Sequence, residues 1–383
     1  MSSFGFDTLA LVTVVGMAGP LLASLPRFAI PVVVGELATG LVIGKTGLNV
    51  VDPANPTFTL LANIGFALVM FVVGTHVPIH DASLRSALPR AVGRAVLVGV
   101  VATGLAVGIA TLFHTGHALL YAVLMASSSA ALSLPIIDSL GLTGAPVVSV
   151  TAQIAIADAA SIVLLPLVIE PRRAPQAALG ALAVAACAAV VFAILRWFDH
   201  AGYRKRLHQY SEKRRFALEL RVNLIILFGL AALAVTTHVS IMLAGFALGL
   251  VVSAVGEPRR LARQLFGISE GFFSPLFFVW LGSSLQVREL GEHPLFMLLG
   301  VALGAGAVLA HSAGAVVRQP LSLAMLTAGQ LGVPVAAATL GTEQHLLVAG
   351  EPSALMLGAL LTVGVTSAAG AVAARRQPAT SER

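Results

Sequence analysis

The sequence predicts an all-α polytopic membrane protein with 13 transmembrane helices, and three observations lead there. Hydrophobic residues make up 57% of the 383 positions and charged residues only 10%, with a mean hydropathy of +0.94, too apolar for a water-soluble domain. Apolar runs of about 20 residues recur along the chain, the length a helix needs to cross a hydrocarbon core. Helices satisfy their own backbone polar groups in lipid. The runs are also continuous, whereas the strands of a membrane β-barrel would alternate polar and apolar residues.

In order, the spans are 5–25, 28–45, 58–77, 91–113, 117–137, 146–169, 175–198, 217–237, 239–256, 271–287, 294–317, 320–341 and 353–374. Only the Pro26-Arg27 break separates the first two. Assigning loops alternately to the two sides tests the count. One side receives Lys45, Arg172, Arg173 and Arg288; the other receives the remaining 19 of 23 basic residues, among them Arg85, Arg90, Arg94, the run from Arg204 to Arg221, and Arg259, Arg260 and Arg263. Basic loops mark the cytoplasmic face, so the N-terminus is expected outside and the C-terminus inside. The net charge of +6 is therefore read as membrane orientation, and no nucleic-acid partner is expected. Cys187 is the single cysteine, so no intrachain disulfide can form. No Lys or Arg precedes Arg27, so a cleaved signal peptide, which wants a basic start, is not expected.

The one sizeable hydrophilic loop, 199–216 (DHAGYRKRLHQYSEKRRF), follows the seventh span and is read as a topology anchor, a lipid-headgroup or regulatory contact being the alternative. It divides the chain into a first six-helix repeat (1–170), a linker helix and loop (171–216), a second six-helix repeat (217–376) and a short cytoplasmic tail (377–383). An odd number of spans between two like halves inverts them, and inverted repeats with the site at their interface are a common transporter plan. Both halves place helix-weakening residues in their fifth span: Met125 to Pro135 (MASSSAALSLP) and Ala328 to Pro334 (AGQLGVP). Broken helices at membrane depth are tolerated where the freed backbone groups line a polar cavity, although small residues also serve close helix packing.

Asp158 is the only acid deep inside any of these segments, 12 residues after Pro146, or about 18 Å at about 1.5 Å per residue. A charged side chain at that depth costs about 2.5–3.5 kcal/mol on insertion scales, and such residues usually mark ion or proton pathways. Desolvation favours the neutral form of a carboxyl group, so one in a poorly hydrated cavity can hold either a proton or a cation. Competition for one site gives exchange, provided the empty charged carrier does not cross. Hard monovalent cations want oxygen ligands, and the hydroxyls of Ser127, Ser128 and Ser129 with carbonyls of the unwound segment are the candidates to complete a shell around Asp158. Ser161 and Thr151, three after and seven before Asp158, lie near the same helix face. Ser161 is a candidate ligand; Thr151, about 10 Å away along the axis, is expected to line the entrance.

The segments MASSSAALS and IAIADAASIVLLP, with GELATGLVIGKTGL (35–48), NIGFALVMFVVG (63–74), IMLAGFALGLVVS (241–253) and FFSPLFFVWLGSSL (272–285), resemble the monovalent cation:proton antiporter superfamily, particularly its bacterial Kef-like and Nap-like Na+(K+)/H+ exchanger branch. The likeness runs in order from about residue 28 to 341. The resemblance implies the Na+/H+ antiporter fold: a homodimer in the bacterial inner membrane, with a dimer domain and a mobile core domain built on two crossed, unwound helices. It implies elevator-like exchange of a proton for Na+ or K+, no cofactor, and a role in pH homeostasis. It makes Asp158 the ion-binding aspartate, Ser129 the hydroxyl residue at the first break, and Glu36 the counterpart of a family glutamate in the second span. The chain departs from the family pattern in three places. Ala157 stands where a polar residue usually precedes the aspartate, His311 falls near the place of an intramembrane basic residue, and Gly332-Val333-Pro334 lacks the glutamate often found at the second break. Some members carry nucleotide-binding domains after the last span; the short stretch after residue 374 leads to no such expectation here.

His311 could pair with Asp158 when protonated, or be a neutral, hydrogen-bonded helix residue; imidazole ordinarily titrates near about pH 6.5. With Asp158 alone one proton exchanges for one cation, and electroneutral exchange is the expectation; if His311 also cycles a proton, exchange becomes electrogenic. Glu36 is read as a proton-coupling candidate or as an acid bonded to a neighbouring helix. Glu219 and Arg221 are read as snorkelling at a membrane surface. A cation channel or uniporter would share broken helices but needs no titratable carboxylate, and another solute on the same fold is also an alternative. An organic-anion carrier would want an intramembrane Arg or Lys. An intramembrane protease would want paired aspartates, Gly-x-Ser-x-Gly or His-Glu-x-x-His, and none occurs, so no enzyme activity is expected.

Overall fold

In the computed structural model, the structure describes residues 4–24, 32–75, 82–169, 174–201, 218–237, 239–256, 265, 267–285, 288, 294–343 and 345–376. The described residues form helices joined by short loops and breaks, with no strand among them. The first half holds α1 (Phe6–Gly16), α2 (Ala18–Ala23), α3 (Val32–Ile43), α4 (Pro56–Thr75), α5 (Ala82–Leu112), α6 (Ala118–Ala126), α7 (Ala130–Ser139) and α8 (Ala145–Ile169). After α9 (Ala174–His200) come α10 (Leu218–Thr236), α11 (Ile241–Val255), α12 (Ser274–Ser284), α13 (Pro294–Ser312), α14 (Leu321–Leu326), α15 (Gly332–Glu343) and α16 (Glu351–Arg376). A π-helical turn at Ser269–Phe273 leads into α12, and a 3₁₀ turn at Ala313–Val317 closes α13.

Nine helical stretches among the described residues are long and apolar enough to cross a membrane. The other four predicted segments hold the shorter α3 and α11, the π turn with α12, and the pair α14–α15. Most of the basic loop (202–216), Arg172, Arg173, Arg259, Arg260, Arg263 and the side chain of Arg85 lie outside the described residues. Glu219 is half-buried and Arg221 exposed at the start of α10.

Helices α3, α4, α11 and α12 form one tightly packed group, and glycine explains how closely they approach. A Cβ on Gly245 would run into the Ala67 carbonyl, and one on Gly249 into the Phe71 carbonyl, so α11 lies directly on the backbone of α4. Gly282 faces the Leu37 carbonyl in the same way, seating α12 on α3. Without a hydrophobic driving force in lipid, such small-residue contacts are what hold helices together. The second group is α5–α8 with α13–α16: α5 packs on α6 and α8, while α13 packs on α14 and α16. Helices α7 and α8 face α16 and α15 across its centre.

One polar tie fixes the start of α6 to the start of α16. Glu351, the first residue of α16, is fully buried. Its Oε2 accepts a hydrogen bond from the Val348 amide (2.9 Å), and its Oε1 accepts one from the Tyr121 hydroxyl (2.5 Å) and lies 2.8 Å from His117 Nδ1. The hydrogen bond to Glu351 lifts His117 above its ordinary titration range against the opposing effect of partial burial, and the carboxylate charge adds to the rise. A raised histidine contributes stability that is fully present below about pH 6.5 and is lost as pH rises through the folded-state value. His117→Ala is therefore expected to lower the unfolding midpoint in detergent more at about pH 5.5 than at about pH 9. An equal loss at both would show that the pair contributes no proton-linked stability.

Candidate ion-binding site

The first break follows from three consecutive serines, whose hydroxyls compete with the helical backbone for hydrogen bonds. Helix α6 stops at Ala126, Ser127 (φ −70°, ψ 150°) and Ser129 (φ −103°, ψ 110°) are extended, and α7 restarts at Ala130. In the second break α14 ends at Leu326 and α15 begins at Gly332, with Pro334 in its first turn, where a missing amide hydrogen costs little. The two breaks cross in direct contact. The Ser129 amide donates to the Gly329 carbonyl (2.7 Å), the Ser128 hydroxyl to the Thr327 carbonyl (2.6 Å), and the Ser133 hydroxyl to the Leu326 carbonyl (3.3 Å). Glycine is required at the crossing: a Cβ on Gly329 would sit 2.8 Å from Leu132 Cδ2 and 2.9 Å from Thr366 Oγ1.

Asp158 sits on α8 beside this crossing and is 2% exposed. Its Oδ2 accepts a hydrogen bond from the Ala130 amide at 3.0 Å, at the first residue of α7. A helix N-terminus offers unpaired amides and a partial positive charge, and so favours an anion. No other hydrogen bond among the described residues reaches this carboxylate, which leaves acceptor sites for a proton or a cation.

The candidate ligands fall into place around it unequally. Ser127, Ser128 and Ser129 are all buried in the break, with the Ser127 hydroxyl donating to the Leu124 carbonyl (2.7 Å). Ser127 and Ser128 commit their protons to carbonyls and keep lone pairs that can face a cation. Ser161 is turned to its own helix, donating to the Asp158 backbone carbonyl (2.8 Å). Thr151 is half-buried, toward the start of α8. His311 is buried under the crossing but makes no hydrogen bond to Asp158; its Nδ1 lies 2.7 Å from Thr327 Oγ1. The Thr327 hydroxyl also donates to the Ala324 carbonyl (2.7 Å), and backbone groups of Ser127 and Met125 face the imidazole, so His311 touches both breaks. His311 thus steadies the second break in this conformation.

Glu36 is 2% exposed and lines a cavity of about 600 Å3 with Asp138, Ser139 and Glu270. The cavity lies between α1, α3 and α12 on one side and α7 on the other, and reaches Ala131, the neighbour of the residue that bonds Asp158. Among the described residues no group of three or more His, Cys, Asp or Glu side chains is arranged to hold a metal ion. Two polar contacts went unread in the sequence. Gln319 Nε2 donates to Gln153 Oε1 (3.0 Å), and Arg94 donates to the Ser149 hydroxyl (3.0 Å), both reaching α8. Gln153, a lone amide one turn before Ala157, was a visible signal; its partner, at the far end of the chain, was not.

A buried carboxylate beside two crossed discontinuous helices lies within a bundle of helices long and apolar enough to cross a membrane, the plan of a polytopic membrane protein. Residues 10–378 match the family model described as sodium/hydrogen exchanger, transmembrane, and the chain belongs to that family. It is similar to YjbQ of Bacillus subtilis (24% identity over 94% of this chain and 62% of YjbQ) and to the Na(+)/H(+) antiporter NhaS5 of Synechocystis (28% over 82% and 45%). It also resembles the Na(+)/H(+)-K(+) antiporter GerN of Bacillus cereus (24% over 71% and 70%). The chain thus spans less than two thirds of the length of the first two relatives. Two structures of the sodium proton antiporter MjNhaP1 from Methanocaldococcus jannaschii share its fold, with TM-scores of 0.64 and 0.69 at 15% identity, covering 97% and 99% of this chain and 98% of each of theirs.

Gly329→Val should push the two breaks apart and destabilise the protein by about 1–3 kcal/mol, the usual cost of overpacking. Thermal unfolding in detergent measures it, and an unchanged midpoint would mean the crossing tolerates a side chain.

Proposed function

We propose that the protein is a secondary transporter that exchanges protons for monovalent cations, Na+ or K+, with Asp158 binding proton and cation competitively. The observation that carries this reading is the Asp158 carboxylate, buried beside two crossed breaks and held by one backbone amide. The oxygen atoms of Ser127, Ser128 and Ser129 supply further cation ligands, with Ser161 contributing only after its hydroxyl turns from its own helix. Relatives named as Na(+)/H(+) antiporters and one named as a Na(+)/H(+)-K(+) antiporter support the choice of ions.

The packing pattern supports two inverted six-helix repeats. Exchanging the halves turns the α4–α11 contact into the α12–α3 contact, and turns α5–α8 into α13–α16. The acid-lined cavity is the path by which a cation reaches Asp158 from the cytoplasm in the proposed orientation, with Glu36 along it. It runs between α1, α3 and α12 and the group that contains both breaks, where an elevator-like displacement of that group would take place. The protein acts as a homodimer in a bacterial inner membrane, N-terminus outside. His311 is bonded to Thr327 and not to Asp158, which supports Asp158 as the single carrier and electroneutral exchange.

In proteoliposomes carrying a pH dye, wild type is expected to move protons when Na+, K+ or Li+ is added, with or without a potassium clamp, and Asp158→Asn is expected to abolish the response. Conduction by wild type without proton movement would instead identify a channel.

A further inference from the structure

The two breaks are held by matching contacts from the helices that follow them. Asp158 of α8 accepts from the Ala130 amide, 28 residues earlier, where α7 begins. Thr362 of α16 accepts from the Gln330 amide at 3.1 Å, 32 residues earlier, just ahead of α15. Both accepting side chains are buried, at 2% and 0% exposure. The Thr362 hydroxyl donates to the Ala359 carbonyl (2.7 Å), so its proton is committed and its lone pair is what meets Gln330. One turn further along α16, Thr366 Oγ1 is fully buried with no hydrogen-bond partner among the described residues, and lies against Gly329.

We infer that Thr362 is the positioning residue of the second break, an uncharged counterpart of Asp158 that sets the cation affinity of the Asp158 site through the crossing. The route is short and continuous. Thr362 holds Gln330, the neighbouring Gly329 carbonyl receives the Ser129 amide, and Ser129 precedes Ala130, whose amide holds Asp158. A hydroxyl does not titrate in the physiological range, so this cap holds its helix without adding a second proton-carrying group. The carrier count stays at one even though both repeats present a cap. A valine at 362 keeps the branched shape and leaves a buried amide unsatisfied, a loss that propagates to the geometry of Ser129 and Ala130. The inference rests on the reading of Asp158 as ion carrier.

The test compares Thr362→Val, Thr362→Ser and Asp158→Asn by cation-driven proton movement in proteoliposomes and by hydrogen exchange of peptides covering residues 327–335 in detergent. Thr362→Val should raise the apparent KM for Na+ or Li+ about tenfold, with the maximal rate within about twofold of wild type, and should speed exchange across 327–335. Thr362→Ser should match wild type in both. Should the valine variant fail to fold, Thr362→Cys, a weak acceptor, replaces it. An unchanged KM and unchanged exchange, or a serine variant that behaves like valine, would overturn the inference. Full activity in Asp158→Asn would instead overturn the ion-carrier reading, while the hydrogen exchange of 327–335 would still decide whether Thr362 caps the break.

Discussion

The hydrogen bond from the Ala130 amide to Asp158 is the interaction on which the rest of the structure depends. Placing a charged side chain deep in a bilayer costs about 2.5–3.5 kcal/mol. A hydrogen bond to a charged group returns about 1.5–3 kcal/mol, and a helix N-terminus in favourable geometry up to about 2 kcal/mol. Both are contributions of the same amide end of α7, and both favour the charged carboxylate against the cost of burying it. In the proposed exchange, a proton or a cation completes what this single amide leaves open.

That single amide exists because the helix is interrupted. Three serines end α6, and α7 restarts with its first amide free for Asp158. The interruption would be costly in lipid were the freed groups not taken up by the second break, whose carbonyls at Thr327, Gly329 and Leu326 accept from the first. His311 in turn holds Thr327. Around this polar centre the glycine-seated pairs α4–α11 and α3–α12 form a separate group with bare backbone contacts. The acid-lined cavity lies between the two groups and reaches Ala131, beside the residue that bonds Asp158.

Much of this was legible in the sequence. Each predicted span contains a described helix, and the serine run and the Ala328 to Pro334 stretch both break their helices. Asp158 could be singled out because a lone acid in an apolar run is conspicuous on energetic grounds. The partners were not legible, because they are set by which residues of distant segments meet. For His311 the sequence left open pairing with Asp158 or a hydrogen-bonded helix residue; its hydrogen bond goes to the Thr327 hydroxyl, one helix on. Ser161 was placed on the right face, but helix geometry gives its hydroxyl a nearer acceptor in the Asp158 carbonyl. Glu351 fell just outside the predicted last span, and nothing in the local pattern tells that Tyr121 and His117, more than 200 residues earlier, would draw it into the interior.

The central claim, one carboxyl that holds either a proton or a cation, is tested most directly without a membrane. Proton release on adding Na+ or Li+ to the purified protein in weakly buffered detergent, counted against cation bound, should give about one proton per cation for wild type and none for Asp158→Asn. Release that persists in Asp158→Asn, or cation binding by wild type with no proton released, would contradict it.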